Sequence, residues 1–253
     1  MEKKDYIYSD QLSMFGKRKI IGFGSTDFYI KEIPKQQSKE MIIKNHYSHK
    51  VCNDATTHIH LGCWINGELL GCMQFGYAMN PQSMGGIVEG TELDQYKELN
   101  RMWFDDKAER NTESKAIAYA IKYIRGVYPK VKWIQSFADE RCGGLGVVYQ
   151  AANFKFYGEH KNIFWIIDNE IYHNSIVTNN NRGKKAELEA KNWKERAEKM
   201  ELRQFRYIYW IDHKWISKCK LKEQSYPKRL VTAEAGGAIL NFSSTELSNG
   251  NEM

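Results

Sequence analysis

The chain comprises 253 residues, of which 42% are hydrophobic, so it can bury a full core as one domain or as a domain with an appendage. Lys and Arg number 37 against 31 Asp and Glu, and the net charge of +6 permits a polyanionic partner without requiring one. The sequence contains no run of 18 apolar residues, so we expect no membrane helix, and no apolar segment typical of a signal peptide follows residues 1–5. The five cysteines lack regular spacing, which is typical of free thiols in a reducing cytoplasm.

Composition divides the chain into three segments. Residues 1–24 are polar, basic and irregular, and they form either a mobile arm or a packed N-terminal extension. Residues 25–229 contain the periodic apolar patterns of a folded domain, with a charged helix and a hairpin appended. Residues 230–253 are dominated by Ala, Gly, Ser and Asn, a composition that predicts a disordered tail.

The first predicted elements of the domain are a strand over residues 27–33 and a helix over residues 34–45. Two apolar runs then flank Asn66-Gly67, the dipeptide that supplies the two positive φ angles of a type I′ turn. Residues 59–75 are therefore expected to form a β-hairpin. Residues 76–95 are a long loop, and a loop of this length inside a compact domain is usually functional or mobile.

The central stretch of the chain predicts a strand, a helix, a second strand, a Gly-rich loop and a short helix in succession. The first strand covers residues 99–104. The helix that follows carries Ile and Ala at three- and four-residue steps, and the hydroxyl of Thr112 is placed to cap it. Aromatic and β-branched residues over 131–138 predict a buried strand. The loop over residues 142–146 opens the short helix, which Asn153 closes.

Polar side chains collect where the second central strand ends. Ser136 lies within that strand, Asp139 ends it, and Tyr149 lies on the short helix after the Gly-rich loop. In open α/β sheets, ligands bind just beyond the carboxyl ends of strands, so these residues are the first candidates for a reacting centre. Each also has a structural alternative: a paired strand hydroxyl, a helix N-cap and a ring packed at a helix end, respectively.

The last part of the chain is basic and aromatic. Residues 184–204 are highly charged and rich in good helix formers, which predicts a solvent-facing helix. Residues 205–211 and 215–221 are expected to form a final hairpin. Alternating lysines would lie on one face of its second strand, namely Lys218, Lys220 and Lys222. Such a surface suits DNA phosphates and stacked bases, and the alternative is a solvated edge that lysines keep from aggregating.

Several short motifs resemble those of known families. Residues 148–154, Val-Tyr-Gln-Ala-Ala-Asn-Phe, resemble the Tyr-x-x-x-Gly-Phe signature of the GNAT acyltransferase fold, with Asn153 in place of Gly. The chain as a whole resembles the bacteriophage Mom family of DNA adenine-modification proteins, which have a GNAT-like fold. The pieces that carry this resemblance are His-Tyr-Ser at 46–48, Leu-Asn-Arg at 99–101 followed by Glu-Ser at 113–114, Ser-Phe-Ala-Asp at 136–139, Gly-x-x-Tyr-Gln-Ala-Ala-Asn at 146–153, and Tyr-Pro-Lys at 226–228.

The resemblance implies an α/β fold with a GNAT-like mixed central sheet flanked by helices, to which the C-terminal helix-plus-hairpin extension is added. Residues 25–229 would then be the catalytic domain. The implied function is a DNA-modifying transferase that adds a carbamoylmethyl-type group to the exocyclic N6 of adenine in phage DNA, which protects that DNA from host restriction. The alternatives are a GNAT N-acetyltransferase that acts on a small amine or protein with acetyl-CoA, and a non-catalytic DNA-binding module.

The resemblance also implies roles for single residues. His46 and Tyr47 would belong to the active centre, where a histidine can shuttle protons and a tyrosine ring can stack on a base. Tyr149 would be a general acid, because a phenol with a pKa near ~10 is protonated at neutral pH. Asp139 would accept a proton or bind an amino group, and Ser136 would hydrogen-bond at the reacting centre.

An acyl donor, acetyl-CoA or a related compound, is implied by the fold, and Arg110, Ser114 and Lys115 would hold its phosphates. Residues 107–114 contain no glycine, unlike the Gly-rich turn at this place in typical GNAT proteins. We expect no metal site, because the His and Cys residues lack paired spacings, although a metal ion at the candidate centre stays an open alternative.

The expected partner is double-stranded DNA, which Asn100 and Arg101 would contact together with the three C-terminal lysines. Arg101 would bind a phosphate or hold Asp139 in a salt bridge. We expect no membrane partner, and a homodimer is compatible with a sequence that does not determine the oligomeric state. The expected location is the cytoplasm of the host cell.

Overall fold

The computed structural model describes residues 5–14, 16–50, 54–140, 144–178 and 183–228. The strands are β1 (Tyr6–Leu12), β2 (Arg18–Gly24), β3 (Phe28–Glu32), β4 (Thr57–Ile65), β5 (Glu68–Gly76), β6 (Tyr96–Phe104), β7 (Trp133–Asp139), β8 (Lys155–Ile167), β9 (Glu170–His173) and β10 (Glu198–Trp210). The α-helices are α1 (Lys35–Asn45), α2 (Thr112–Val127), α3 (Val147–Ala151), α4 (Asn174–Thr178) and α5 (Gly183–Ala190).

These strands form one mixed sheet in the order β1-β2-β3-β4-β5-β6-β7-β10-β8-β9. The pair β6 and β7 is parallel, and the other neighbours are antiparallel. The parallel ladder ends at Glu98 and Gln135, although both strands continue, so a wedge opens between their carboxyl ends. β10 is inserted between β7 and β8. The predicted mixed α/β fold is therefore confirmed.

The sheet is covered on both faces. On the α2 face, the isoleucine and alanine side chains of α2 are buried as their spacing predicts, against residues such as Leu61 and Phe75. On the opposite face, called here the α1 face, Ile42 of α1 packs against Cys72 of β5. A second cluster on the α1 face contains Trp133 and Trp210. Successive side chains of each central strand therefore alternate between two packed faces.

Local turn chemistry agrees with the sequence at two points. Asn66 and Gly67 have φ angles of +49° and +84°, as a type I′ hairpin between β4 and β5 requires. Asn153 closes α3 with a φ angle of +65°, so the substitution of Gly by Asn in the motif keeps a left-handed helix end. The predicted cap of α2 is wrong, because Thr112 is already helical and Asn111 occupies the N-cap position without a side-chain hydrogen bond.

The first 24 residues contribute to the sheet where the structure describes them. β1 pairs with β2, and β2 pairs with β3, so these two strands are a packed extension rather than a mobile arm. The domain boundaries themselves stay predictions. The tail over residues 230–253 lies outside the described residues, as do residues 142 and 143 of the Gly-rich loop.

Two C-terminal predictions are wrong. The charged helix ends at Ala190, and the residues from Glu198 onward belong to β10, because pairing with β8 overrides their helix propensity. The final hairpin is replaced by the inner strand β10, followed by a 3₁₀ helix over His213–Lys218 that buries Trp215. The extension still contains a hairpin, formed by β8 and β9 and followed by α4 and α5.

Candidate active site

The candidate active site lies at the wedge between β6 and β7. A β-bulge in β6 leaves Asn100 without a partner in the register with β5, which pairs Gln74 with Arg101 and then Phe75 with Leu99. Bulges re-aim side chains and are common beside active sites. The Asn100 amide donates to the carbonyl oxygen of Tyr77 and to the carboxylate of Glu98, both at 3.1 Å.

A line of polar side chains crosses the base of the wedge on the α1 face. Glu98 accepts a hydrogen bond from Gln135 Nε2 at 2.7 Å, and Gln135 Oε1 accepts one from the Arg206 guanidinium at 2.6 Å. Burial raises the pKa of Glu98 and lowers the pKa of Arg206. These residues were not among those predicted from the sequence. The available signal was Gln135, a lone amide between the aromatic residues Trp133 and Phe137 on one face of its strand.

Tyr47 and Asp139 meet at the open end of the wedge. The Tyr47 hydroxyl donates to Asp139 Oδ2 at 3.4 Å, across 92 positions of sequence. Asp139 is 7% exposed, whereas Tyr47 is 50% exposed and presents its ring to solvent. The segment that carries Tyr47 is held by Arg101, whose guanidinium donates to the Lys50 carbonyl at 3.3 Å. Arg101 therefore positions the loop after α1, in addition to any contact with DNA.

His46 lies directly behind Tyr47, and their ring centres are 4.2 Å apart. The side chain is buried, and its Nδ1 accepts a hydrogen bond from the backbone N–H of Ser48 at 3.2 Å. Because a backbone N–H can only donate, Nδ1 is the acceptor in this contact. The structure thus brings together the predicted residues His46, Tyr47 and Asp139. The N-cap alternative for Asp139 concerns the turn that follows it, where residues 141–143 lie outside the described residues, so it stays open.

Ser136 and Tyr149 belong to the α2 face instead. The Ser136 hydroxyl donates to the Leu99 carbonyl at 3.1 Å and so joins β7 to β6 where the wedge opens. The Tyr149 hydroxyl lies 3.5 Å from the Phe137 carbonyl oxygen, and its ring packs 5.5 Å from that of Tyr207. The expected single cluster is therefore divided between the two faces of the sheet, because alternate residues of β7 point in opposite directions.

The three residues predicted to hold a donor line one groove. This groove, of about 290 Å³, lies at the start of α2 and is bounded by Arg110, Ser114, Lys115, Phe28 and Ala151, among others. The Lys115 ammonium lies 3.9 Å from the centre of the Phe28 ring. α2 begins without a side-chain cap, so its first-turn amides and its positive dipole end can face an anion. Glu109 also lines the groove, and the binding of a phosphate-bearing donor there stays a prediction.

The three C-terminal lysines are exposed, but they do not share a strand face. Lys218 ends the 3₁₀ helix, and its ammonium lies 4.1 Å from the centre of the Trp215 ring. Lys220 and Lys222 follow in irregular backbone, in which Cys219 forms an isolated bridge to Val88 and Gln224 one to Phe156. The predicted alternation is wrong because the hairpin that required it is not formed. Their contact with DNA stays a prediction.

Within the described ranges, no group of three or more His, Cys, Asp or Glu side chains is arranged to hold a metal ion. The same part of the chain contains no helix with the length and apolar character needed to span a membrane.

The splayed parallel pair, the bulged strand beside it and the last strand inserted next to β7 define a GNAT-like α/β enzyme fold. The chain aligns with a ribosomal-protein-S5-alanine acetyltransferase from Vibrio fischeri at a TM-score of 0.45 and 8% identity, covering 77% of this chain and 98% of that one. It aligns with the RimL ribosomal L7/L12 alpha-N-protein acetyltransferase at a TM-score of 0.42 and 10% identity, covering 74% and 96%.

Sequence comparison is more specific. The Mom protein family matches residues 27–228. The methylcarbamoylase mom of Escherichia phage Mu is 40% identical over 230 residues, which are 90% of this chain and 95% of that protein. The chain belongs to the Mom family.

Proposed function

We propose that this protein is a transferase that adds a carbamoylmethyl-type group to the exocyclic N6 of adenine in phage DNA, in the host cytoplasm, and so protects that DNA from host restriction. The observation that carries the proposal is the 40% identity with the phage Mu methylcarbamoylase over nearly its whole length. Two of the motif residues that suggested the family from sequence, Tyr47 and Asp139, are hydrogen-bonded to each other, which supports a common reaction.

The α1 face supplies the groups suited to an amino substrate. The N6 amine of adenine loses a proton when a new N–C bond forms, and a carboxylate within hydrogen-bond reach can accept it. Asp139 is the carboxylate at the wedge, and the Tyr47 hydroxyl orients it at 3.4 Å. In duplex DNA the amine lies inside the base stack, so the base must be extruded to reach Asp139. The exposed ring of Tyr47 is suited to stack on such a base.

The α2 face supplies the groups suited to a donor. Arg110, Ser114 and Lys115 would hold its phosphates at the start of α2. When bound, the donor supplies the electrophilic carbon of the transferred group. Tyr149 lies on this same face and holds a proton at its hydroxyl, beside the Phe137 carbonyl. That proton would pass to the leaving group of the donor as the new N–C bond forms. The wedge lets groups on opposite faces of the sheet act on one reacting centre, because no ladder hydrogen bonds close it there.

The test is nucleoside mass spectrometry of plasmid DNA from cells that express the full chain, with empty vector as the control. We expect a new adenine nucleoside only when the chain is present. Unmodified DNA together with turnover of a thioester by the purified protein would instead support an N-acyltransferase on a small amine or protein. Unmodified DNA without turnover would support a DNA-binding module.

A further inference from the structure

The α1 face carries an aromatic and cationic pair that the proposed chemistry does not use. Phe137 of β7 and Arg206 of β10 are direct partners across the antiparallel ladder. The guanidinium carbon of Arg206 lies 4.6 Å from the centre of the Phe137 ring. His160 of β8 contacts the same ring edge-on, with ring centres 5.5 Å apart. We call Phe137 and Arg206 the platform; both side chains are half-buried, so each keeps some surface open to solvent.

Arg206 differs from its neighbour Arg203 on the same strand. Arg203 forms ion pairs with Glu140 at 2.7 Å and with Glu159 at 3.5 Å. Among the residues that the structure describes, no carboxylate lies within 4 Å of the Arg206 guanidinium, which Gln135 holds instead at 2.6 Å. The counter-charge of Arg206 is Glu98, to which Gln135 links it. A desolvated cation that is paired indirectly can gain more from a ligand than one that is paired directly.

The platform lies beside the proposed proton acceptor. Phe137 and Asp139 are two residues apart on β7, so their side chains share a face at a spacing of about 7 Å along the strand. Tyr47 contacts Asp139 and offers a second exposed ring. The carboxylate is therefore flanked by a planar guanidinium on a phenyl ring and by a phenol, all on the face opposite Tyr149 and Ser136.

We propose that the platform binds the extrahelical adenine by stacking, so that the exocyclic amine is directed to Asp139. This inference rests on the proposed function, which it deepens by naming the surface that receives the base. Guanidinium and aromatic planes both stack on bases in single-stranded recognition. Gln135 fixes the guanidinium from one side, so little side-chain freedom is lost when a base covers it. Arg206 and Phe137 are then base-binding residues rather than phosphate contacts.

The test compares the affinity of the purified full chain for two duplexes. One carries an unpaired adenine opposite an abasic site, and the other carries abasic sites at both positions, with the flanking nucleotides randomised in each. Base stacking is worth about 1–3 kcal/mol per base, so wild type should bind the adenine duplex roughly five- to a hundredfold more tightly. Arg206→Lys and Phe137→Leu should each reduce this ratio toward one while the affinity for the abasic duplex is kept, because phosphate contacts carry no base information.

Arg196→Lys is the matched control. Arg196 lies just before β10 and pairs with Asp168, so this variant should leave the affinity ratio unchanged. Arg206→Lys keeps the charge and tests the planar group alone, so it remains informative if Phe137→Leu fails to fold. An unchanged ratio in Arg206→Lys, an equal loss of affinity for both duplexes, or no preference for adenine in wild type would each overturn the inference. Failure of the proposed function is recognised separately, because wild type would then produce no adenine adduct in plasmid DNA.

Discussion

The substitution Tyr149→Phe distinguishes a chemical role of the Tyr149 hydroxyl from a packing role of its ring. The substitution keeps the ring, which packs 5.5 Å from Tyr207 and 5.8 Å from Phe154, and removes only the hydroxyl. That hydroxyl lies 3.5 Å from the Phe137 carbonyl, at the long limit of a hydrogen bond. A normal neutral hydrogen bond contributes about 0.5–1.5 kcal/mol to stability, so the free energy of unfolding should fall by less than about 1 kcal/mol.

The effect on activity should be much larger. A general acid contributes about 10²–10⁴-fold to the rate, and each tenfold corresponds to about 1.4 kcal/mol of activation free energy. The expected loss of roughly 3–5 kcal/mol in transition-state stabilisation therefore exceeds the loss of stability several-fold. A merely packed tyrosine would show the small stability change and no loss of rate.

The assay is a time course of adenine adducts in plasmid DNA by nucleoside mass spectrometry, together with urea denaturation of the purified variant. Tyr29→Phe is the matched control, because Tyr29 stacks on Trp64 at 5.3 Å, away from the wedge. It should modify DNA like wild type. Wild-type adduct rates in a folded Tyr149→Phe protein would refute the acid role, and a loss of unfolding free energy of several kcal/mol would show that the hydroxyl is structural.

Three further substitutions test other parts of the site. Asp139→Asn should abolish most adduct formation. Its melting temperature should change little, because the Tyr47 hydroxyl can still donate to the amide oxygen. Full activity in this variant would show that the carboxylate is dispensable. Burial raises the pKa of Glu98 above its ordinary 4.5, so ionisation of this carboxyl favours the unfolded chain. The free energy of unfolding of wild type should therefore fall relative to that of Glu98→Gln as the pH rises from 4.5 toward neutrality. Urea denaturation at about pH 5 and about pH 8 measures this, and a difference that does not depend on pH contradicts it. Replacing Lys218, Lys220 and Lys222 together with Gln should weaken DNA binding for all sequences. The slope of log affinity against log salt should fall by about 0.9 per lost phosphate contact. An unchanged slope in filter binding rules these lysines out as DNA contacts.

Local sequence signals predicted the elements that depend on neighbouring residues. Asn66-Gly67 determines its hairpin because few residues accept two successive positive φ angles, and Asn153 ends α3 for the same reason. The isoleucine and alanine spacing of α2 defined its buried face, because helix geometry places residues three and four apart on one side. The family motifs singled out Tyr47 and Asp139, which meet in the structure although no local pattern relates them.

Pairing between distant parts of the chain decided the remainder. The charged residues at the start of β10 have helix propensity, and only the open edge of β8 converts them into a strand. That insertion brings Arg206 to Gln135, across 71 positions, and places it over Phe137. The early end of the β6–β7 ladder opens the wedge, and the alternation of β7 places Asp139 and Ser136 on opposite faces of the sheet. Residue types and spacing determined which groups are available for the chemistry, whereas strand order and register, which depend on contacts between distant segments, decided which of them share a face.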